Sequence, residues 1–139
     1  MKTTSAMNRR TVLGLMAAAV AALVCCNAAW ANGNVYRQTL QSTAWVLAKK
    51  SDGPSSGTGI LIDAEKRLVI TSAHVVGDCR MAVIFFPELD NDQPQVERKH
   101  YLDNAKRLGT RGQVIAVDRK RDLALVQLER VPQQARAIA

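Results

Sequence analysis

His74 is one of two histidines in a chain of 139 residues, and it stands where an apolar run meets a turn. Leu68-Val69-Ile70-Thr71 leads through Ser72-Ala73 into its imidazole, and Val75-Val76 follow. A second apolar run, Leu123-Ala124-Leu125-Val126, is opened by Asp122, 48 residues further on. An imidazole can take a proton from a hydroxyl nucleophile and return it to a leaving amine. A carboxylate that holds the ring's Nδ1–H tautomer leaves Nε2 free for that exchange and stabilises the imidazolium it forms. Acyl transfer tolerates little misplacement, so both groups belong on rigid elements such as strand ends.

Other chemistry is less well supported. Gly53-Pro54-Ser55-Ser56-Gly57 fits G-x-S-x-G literally, but a nucleophile elbow needs strand, sharp turn and helix, with the partners in the order Ser, Asp, His. Here a strand follows, and the order is Ser55, His74, Asp122, so the segment reads as a Gly-Pro-Ser turn. His100 lies in a long polar stretch and reads as solvated. His74, His100, Cys79 and scattered carboxylates lack the close ligand pairs of a zinc site. Asp90-Asn91-Asp92 lacks the later glycine and glutamate of a calcium loop. No metal site and no cofactor are expected.

The elements that must position His74 and Asp122 are short apolar runs bounded by turn residues, the pattern of strands. They are Thr43–Ala48, Thr58–Ile62, Leu68–Thr71, Met81–Phe86, Gln113–Val117 and Leu123–Leu128. Ser51–Gly57, Asp63–Lys66 and Gly77-Asp78 read as turns. Asn34–Gln41 reads as a short amphipathic helix with Val35, Tyr36 and Leu40 on its apolar side. Pro87–Gly112 reads as a long polar loop, with Arg98–Leu102 as a short extra strand. The expected fold class is all-β, a single six-stranded antiparallel barrel, which also removes exposed sheet edges.

With those residues in place the chain resembles the trypsin-like serine proteases of chymotrypsin fold, in particular the bacterial HtrA/Deg type. In that family a strand ends in Thr-Ala-His or Asn-Ala-His, and the catalytic aspartate later opens an Asp-Leu-Ala-Leu strand. Ser56-Gly57-Thr58-Gly59-Ile60-Leu61-Ile62 is similar to the Gly-Ser-Gly strand before the histidine. The resemblance covers most of Thr43–Leu128 and implies the N-terminal barrel of a peptidase, with His74 as general base and Asp122 as orienting acid. It also implies a polypeptide substrate in a complete enzyme. The family's nucleophile lies in a Gly-Asp-Ser-Gly-Gly-like segment of a second barrel, after the aspartate. The 17 residues after Asp122 contain no serine, so the nucleophile and oxyanion-hole amides are expected to be missing. The expectation is therefore a truncated or split family member, inactive alone, whose partner is the second barrel and whose uncovered face promotes self-association. The alternative is a non-catalytic exported β-barrel that binds a partner.

Residues 1–31 read as a cleavable leader: Lys2, Arg9 and Arg10, the apolar run Val12–Cys26, then Ala29-Trp30-Ala31. The run's 15 residues fall short of the roughly 20 that span a bilayer, so no stable membrane anchor is expected. Asn8–Leu13 resembles the twin-arginine pattern; Sec and twin-arginine export both fit, with a periplasmic or secreted destination. Residues 32–139 form one domain's worth of chain. The net charge of +7 falls to +4 there, with 16 Lys and Arg against 12 Asp and Glu. Arg119-Lys120-Arg121, flanked by Asp118 and Asp122, carries no interleaved aromatic and reads as a solvated turn, so no nucleic-acid partner is expected. Cys79, the lone cysteine after the leader, reads as a core filler.

Overall fold

In the sequence, apolar residues alternate along Thr43–Lys50 and Leu123–Leu128, which calls for strands with one face inward. The computed structural model, which describes residue 33, residues 35–90 and residues 93–138, has those strands. The expected leader lies outside the described residues. The chain divides at Tyr36, and Arg37–Ala139 forms the unit described below.

Six strands close into an antiparallel barrel: β1 (Thr43–Lys50), β2 (Gly53–Asp63), β3 (Leu68–Thr71), β4 (Met81–Phe85), β7 (Gly109–Asp118) and β8 (Leu123–Leu128). Their order around the barrel is β1-β2-β3-β8-β7-β4. A small hairpin, β5 (Leu89–Asp90) with β6 (Gln93–Pro94), lies outside it. Val46, Leu61, Val69, Ile84, Val126 and Leu128 point inward and are almost fully buried. Each such side chain contributes about 1.5–3 kcal/mol through the water it leaves. Residues 131–137 add Val131, Ala135 and Ala137 to this core. The segment is tied down where the Arg136 N–H donates to the Gln41 carbonyl and the Ile138 N–H to that of Leu61.

The expected Ser51–Gly57 turn shrinks to Ser51-Asp52, because Gly53 to Ser56 already pair with β1. Pro54 is tolerated in the strand because β3 pairs with β2 only from Gly59 onward, leaving the earlier stretch with one neighbour. Gly53 has φ 129°, open in practice to glycine alone. The expected helix is found over residues 35–42, but Val35 and Tyr36 are exposed, and Ser42 is the buried position.

Between β6 and β7 the chain is helical, in α2 (Arg98–Asp103) and α3 (Ala105–Leu108), so Arg98–Leu102 is not the extra strand expected. Burial of Tyr101 accounts for this. Its ring lies edge-on to Phe85, its hydroxyl accepts from the Glu88 N–H at 3.1 Å, and it donates to the Gln95 carbonyl at 2.8 Å. The side chain of Asn104 then caps the His100 carbonyl at 2.9 Å. A strand here would need a ladder partner for its backbone, whereas a helix satisfies its own.

Candidate active site

β3 ends at Thr71, and the next turn of chain, α1 (Ala73–Val76), carries His74. Val75 and Val76 anchor this single helical turn in the core, so the opposite side, with His74, faces outward. Gly77, at φ 58°, ends α1 by donating its N–H to the Ala73 carbonyl at 2.8 Å. Gly57 packs beneath: a Cβ placed on it would meet Val75 Cγ2 at 2.4 Å. Only a residue without a side chain lets α1 sit that close to β2.

Asp122 is delivered by the turn before β8. The Asp118 carboxylate accepts the N–H groups of Lys120 and Arg121 at 3.0 Å each, and Arg121 Nη1 at 2.7 Å. Arg121 holds the Asp118 carboxyl below its ordinary value. Arg119 reaches across to the Gly77 carbonyl at 3.3 Å, joining this turn to α1. The basic triplet is thus the turn read from sequence, and two of its three side chains brace the site. Asp122 has φ 55°, a left-handed conformation that Asp tolerates better than most residues.

β3 and β8 are hydrogen-bonded neighbours, with Thr71 opposite Ala124, so His74 and Asp122 emerge at the same end of the pair. Ring atom Nδ1 of His74 lies 2.7 Å from Asp122 Oδ2, and the His74 backbone N–H donates to Oδ1 at 2.9 Å. The Ala73 N–H adds a bond to the Asp122 carbonyl at 3.2 Å. The His74 backbone N–H first, and then its ring, hold the Asp122 carboxyl below its ordinary value. With Nδ1 occupied as donor, Nε2 is the ring atom left to exchange a proton. The His74 side chain is 72% exposed, which keeps that atom accessible.

The remaining candidates lie elsewhere. Ser55 sits within β2 opposite Ala48, in a strand and not at a strand-to-helix elbow. Cys79 packs against the core, and burial raises its thiol pKa. His100 is not solvated as expected: its Nε2 lies 2.8 Å from Glu88 Oε2, and both side chains are half-buried. Arg107 Nη1 donates to the other oxygen, Glu88 Oε1, at 2.9 Å. His100 and then Arg107 depress the Glu88 carboxyl, against the opposing effect of burial. Nothing in the local sequence signals this cluster, whose members meet only because α2 and α3 fold back over β4. Among the described residues no three of His, Cys, Asp and Glu converge in a way that could hold a metal ion.

The chain is thus a closed antiparallel barrel that sets an imidazole against a carboxylate at the end of two paired strands. The model of the trypsin-like peptidase domain matches residues 57–139, and the chain belongs to that family. No curated protein sequence matches it. Among solved structures, the serine endoprotease from Yersinia pestis is similar over 73% of this chain and 30% of its own, with TM-score 0.50 and 16% identity. The M. tuberculosis protease Rv3671c in its active form is similar over 78% of this chain and 39% of its own, with TM-score 0.51 and 21% identity. An inactive serine-to-alanine form of Rv3671c gives TM-score 0.51 at 20% identity, over 78% of this chain and 43% of its own. These likenesses are of fold. The chain spans less than half the length of each of these solved chains.

Proposed function

We propose that this chain supplies the general base and orienting acid of a Ser-His-Asp endopeptidase of the HtrA type, with His74 and Asp122 in those roles. The observation that carries the reading is the two-point contact of Asp122 with His74, at Nδ1 and at the backbone N–H. In the reaction, Nε2 takes the proton of a serine hydroxyl as it attacks the scissile carbonyl, then passes it to the leaving amine. Asp122 stays ionised and fixes the ring. The serine and the oxyanion-hole amides come from a second barrel. Ile60, Ile70 and Leu125 are cross-strand neighbours on β2, β3 and β8, on the face turned away from the core. Such an outward apolar row supports the idea of a covering partner and, without one, of self-association. The pattern of residues 1–31 supports export to the periplasm or beyond, with the mature chain starting near Asn32.

Hydrolysis of casein tests this. The 139-residue chain alone is expected to be inactive, and mixing it with the serine-bearing second barrel of a relative restores turnover that His74→Ala abolishes. Turnover by the chain alone that disappears in Ser55→Ala or Ser56→Ala would overturn the reading.

A further inference from the structure

The charge excess of residues 32–139 is modest, but the fold concentrates it. Three adjoining depressions run along the outer face of β1, β4 and β7 and around the barrel end beyond Leu128. One is lined by Lys49, Leu47, Met81, Val83 and Arg111. The next, about 490 Å³, shares Val83 and Arg111 and adds Lys106, Glu129 and Arg130. The third shares Arg130 and adds Arg107 and Glu88. Lys49, Lys106, Arg107, Arg111 and Arg130 are all exposed. Five cations thus face two carboxylates, a local excess of three out of the four carried by residues 32–139. One of those carboxylates, Glu88, is already engaged by His100 and Arg107. Among the described residues, Lys106, Arg111 and Arg130 take part in no ion pair, so their charge is available.

A second observation comes from the lining of the first two depressions. Leu47, Met81 and Val83 interleave the cations with apolar surface.

We infer that this track is a docking surface for an acidic peptide segment of a partner protein, with carboxylates on Lys106, Arg111 and Arg130 and apolar side chains on Leu47 and Met81. Apolar lining favours a peptide over a nucleic acid, since no aromatic ring lines any of the three depressions to stack a base. The surface is separate from the His74 site. β8 begins beside Asp122 and ends at Leu128, so Glu129 and Arg130 lie at the other end of the barrel. The inference therefore stands whatever His74 and Asp122 do.

Fluorescence anisotropy of a labelled peptide of alternating Glu and Leu, titrated with the full chain, tests it. Binding is expected, weaker at physiological than at low salt, and weakened about tenfold or more by Lys106→Glu with Arg111→Glu. The control pair Lys66→Glu with Lys120→Glu, equal in charge and placed elsewhere, leaves it within about twofold. Thermal melting establishes that the reversed variant folds; if it does not, Lys106→Ala and Arg111→Ala singly are each expected to weaken binding. The inference fails if the peptide does not bind, or if both charge-reversed pairs behave alike. Tighter binding of a single-stranded oligonucleotide or of phosphatidylglycerol vesicles than of the peptide also overturns it.

Discussion

The carboxylate of Asp122 spends both oxygens on one residue: Oδ2 faces Nδ1 of His74 at 2.7 Å, and Oδ1 accepts the His74 backbone N–H at 2.9 Å. A single contact would let the carboxyl group rotate, whereas two fix its plane. The backbone bond also ties the acid to the helical turn that carries the base, so a shift of one drags the other. Orientation of the imidazole is therefore built into the main chain and does not await substrate.

Asp122→Asn tests that orientation directly. The amide can present its NH₂ to Nδ1 and so stabilise the wrong tautomer. In the enzyme reconstituted with a serine-bearing barrel, kcat is expected to fall by a factor on the order of 10⁴ with little change in KM. Imidazole ¹⁵N shifts of the isolated chain should show loss of the Nδ1–H form. An unchanged tautomer would contradict the assignment.

Acid should weaken the same contact. The Asp122 carboxyl is depressed in the folded chain, so its contribution to stability is complete above the unfolded value near ~3.9 and lost as pH falls through the lower folded value. Urea midpoints of the native chain and Asp122→Asn, measured from neutral to strongly acidic pH, should converge below about pH 4. A constant gap would show that Asp122 does not titrate with folding.

Gly57→Ala should disturb the site without touching it. The added methyl meets Val75 Cγ2, and a β-branched side chain has little room to turn away. Overpacking of this kind costs about 1–3 kcal/mol. Thermal melting should register the loss, and the double variant Gly57→Ala with Val75→Ala should fare better than the sum of the single variants.

Glu88→Gln removes the charge that His100 and Arg107 share. The neutral amide keeps an acceptor for Arg107 but can no longer accept from a His100 Nε2–H as well, and a lost charge-assisted bond costs about 1–3 kcal/mol. For a domain of this size each kcal/mol lowers Tm by about 4–8 °C. The Tm deficit relative to the native chain should shrink in acid, because the depressed Glu88 carboxyl loses its advantage as it protonates.

How much of this could be read beforehand depended on locality. β3 and β8 match the expected Leu68–Thr71 and Leu123–Leu128 to the residue, since strict inward alternation fixes a strand wherever one face is buried. The start of β2 reads as a turn because Gly-Pro-Ser-Ser-Gly is turn chemistry. Only the one-sided pairing of that stretch makes a strand of it. Arg98–Leu102 reads as a strand from sequence, because the helical state found there rests on Tyr101 meeting Phe85 and Glu88 in space. His74 and Asp122 stood out through their flanking strands. The Glu88–His100–Arg107 cluster and the basic track carry no such flags, because their members are irregularly spaced in sequence and meet only through the fold.

The pairing of β3 with β8 has a kinetic side. It joins the β1–β3 meander to the β7–β8 hairpin, and so brings together segments far apart in the chain. Contacts of long sequence separation form late, because chain entropy must be lost before they stabilise anything. His74 and Asp122, 48 residues apart, sit at the mouth of that seam. No fragment carrying only one hairpin can assemble the pair. Its imidazole signal is thus a clock for the moment at which the wall of strands becomes continuous.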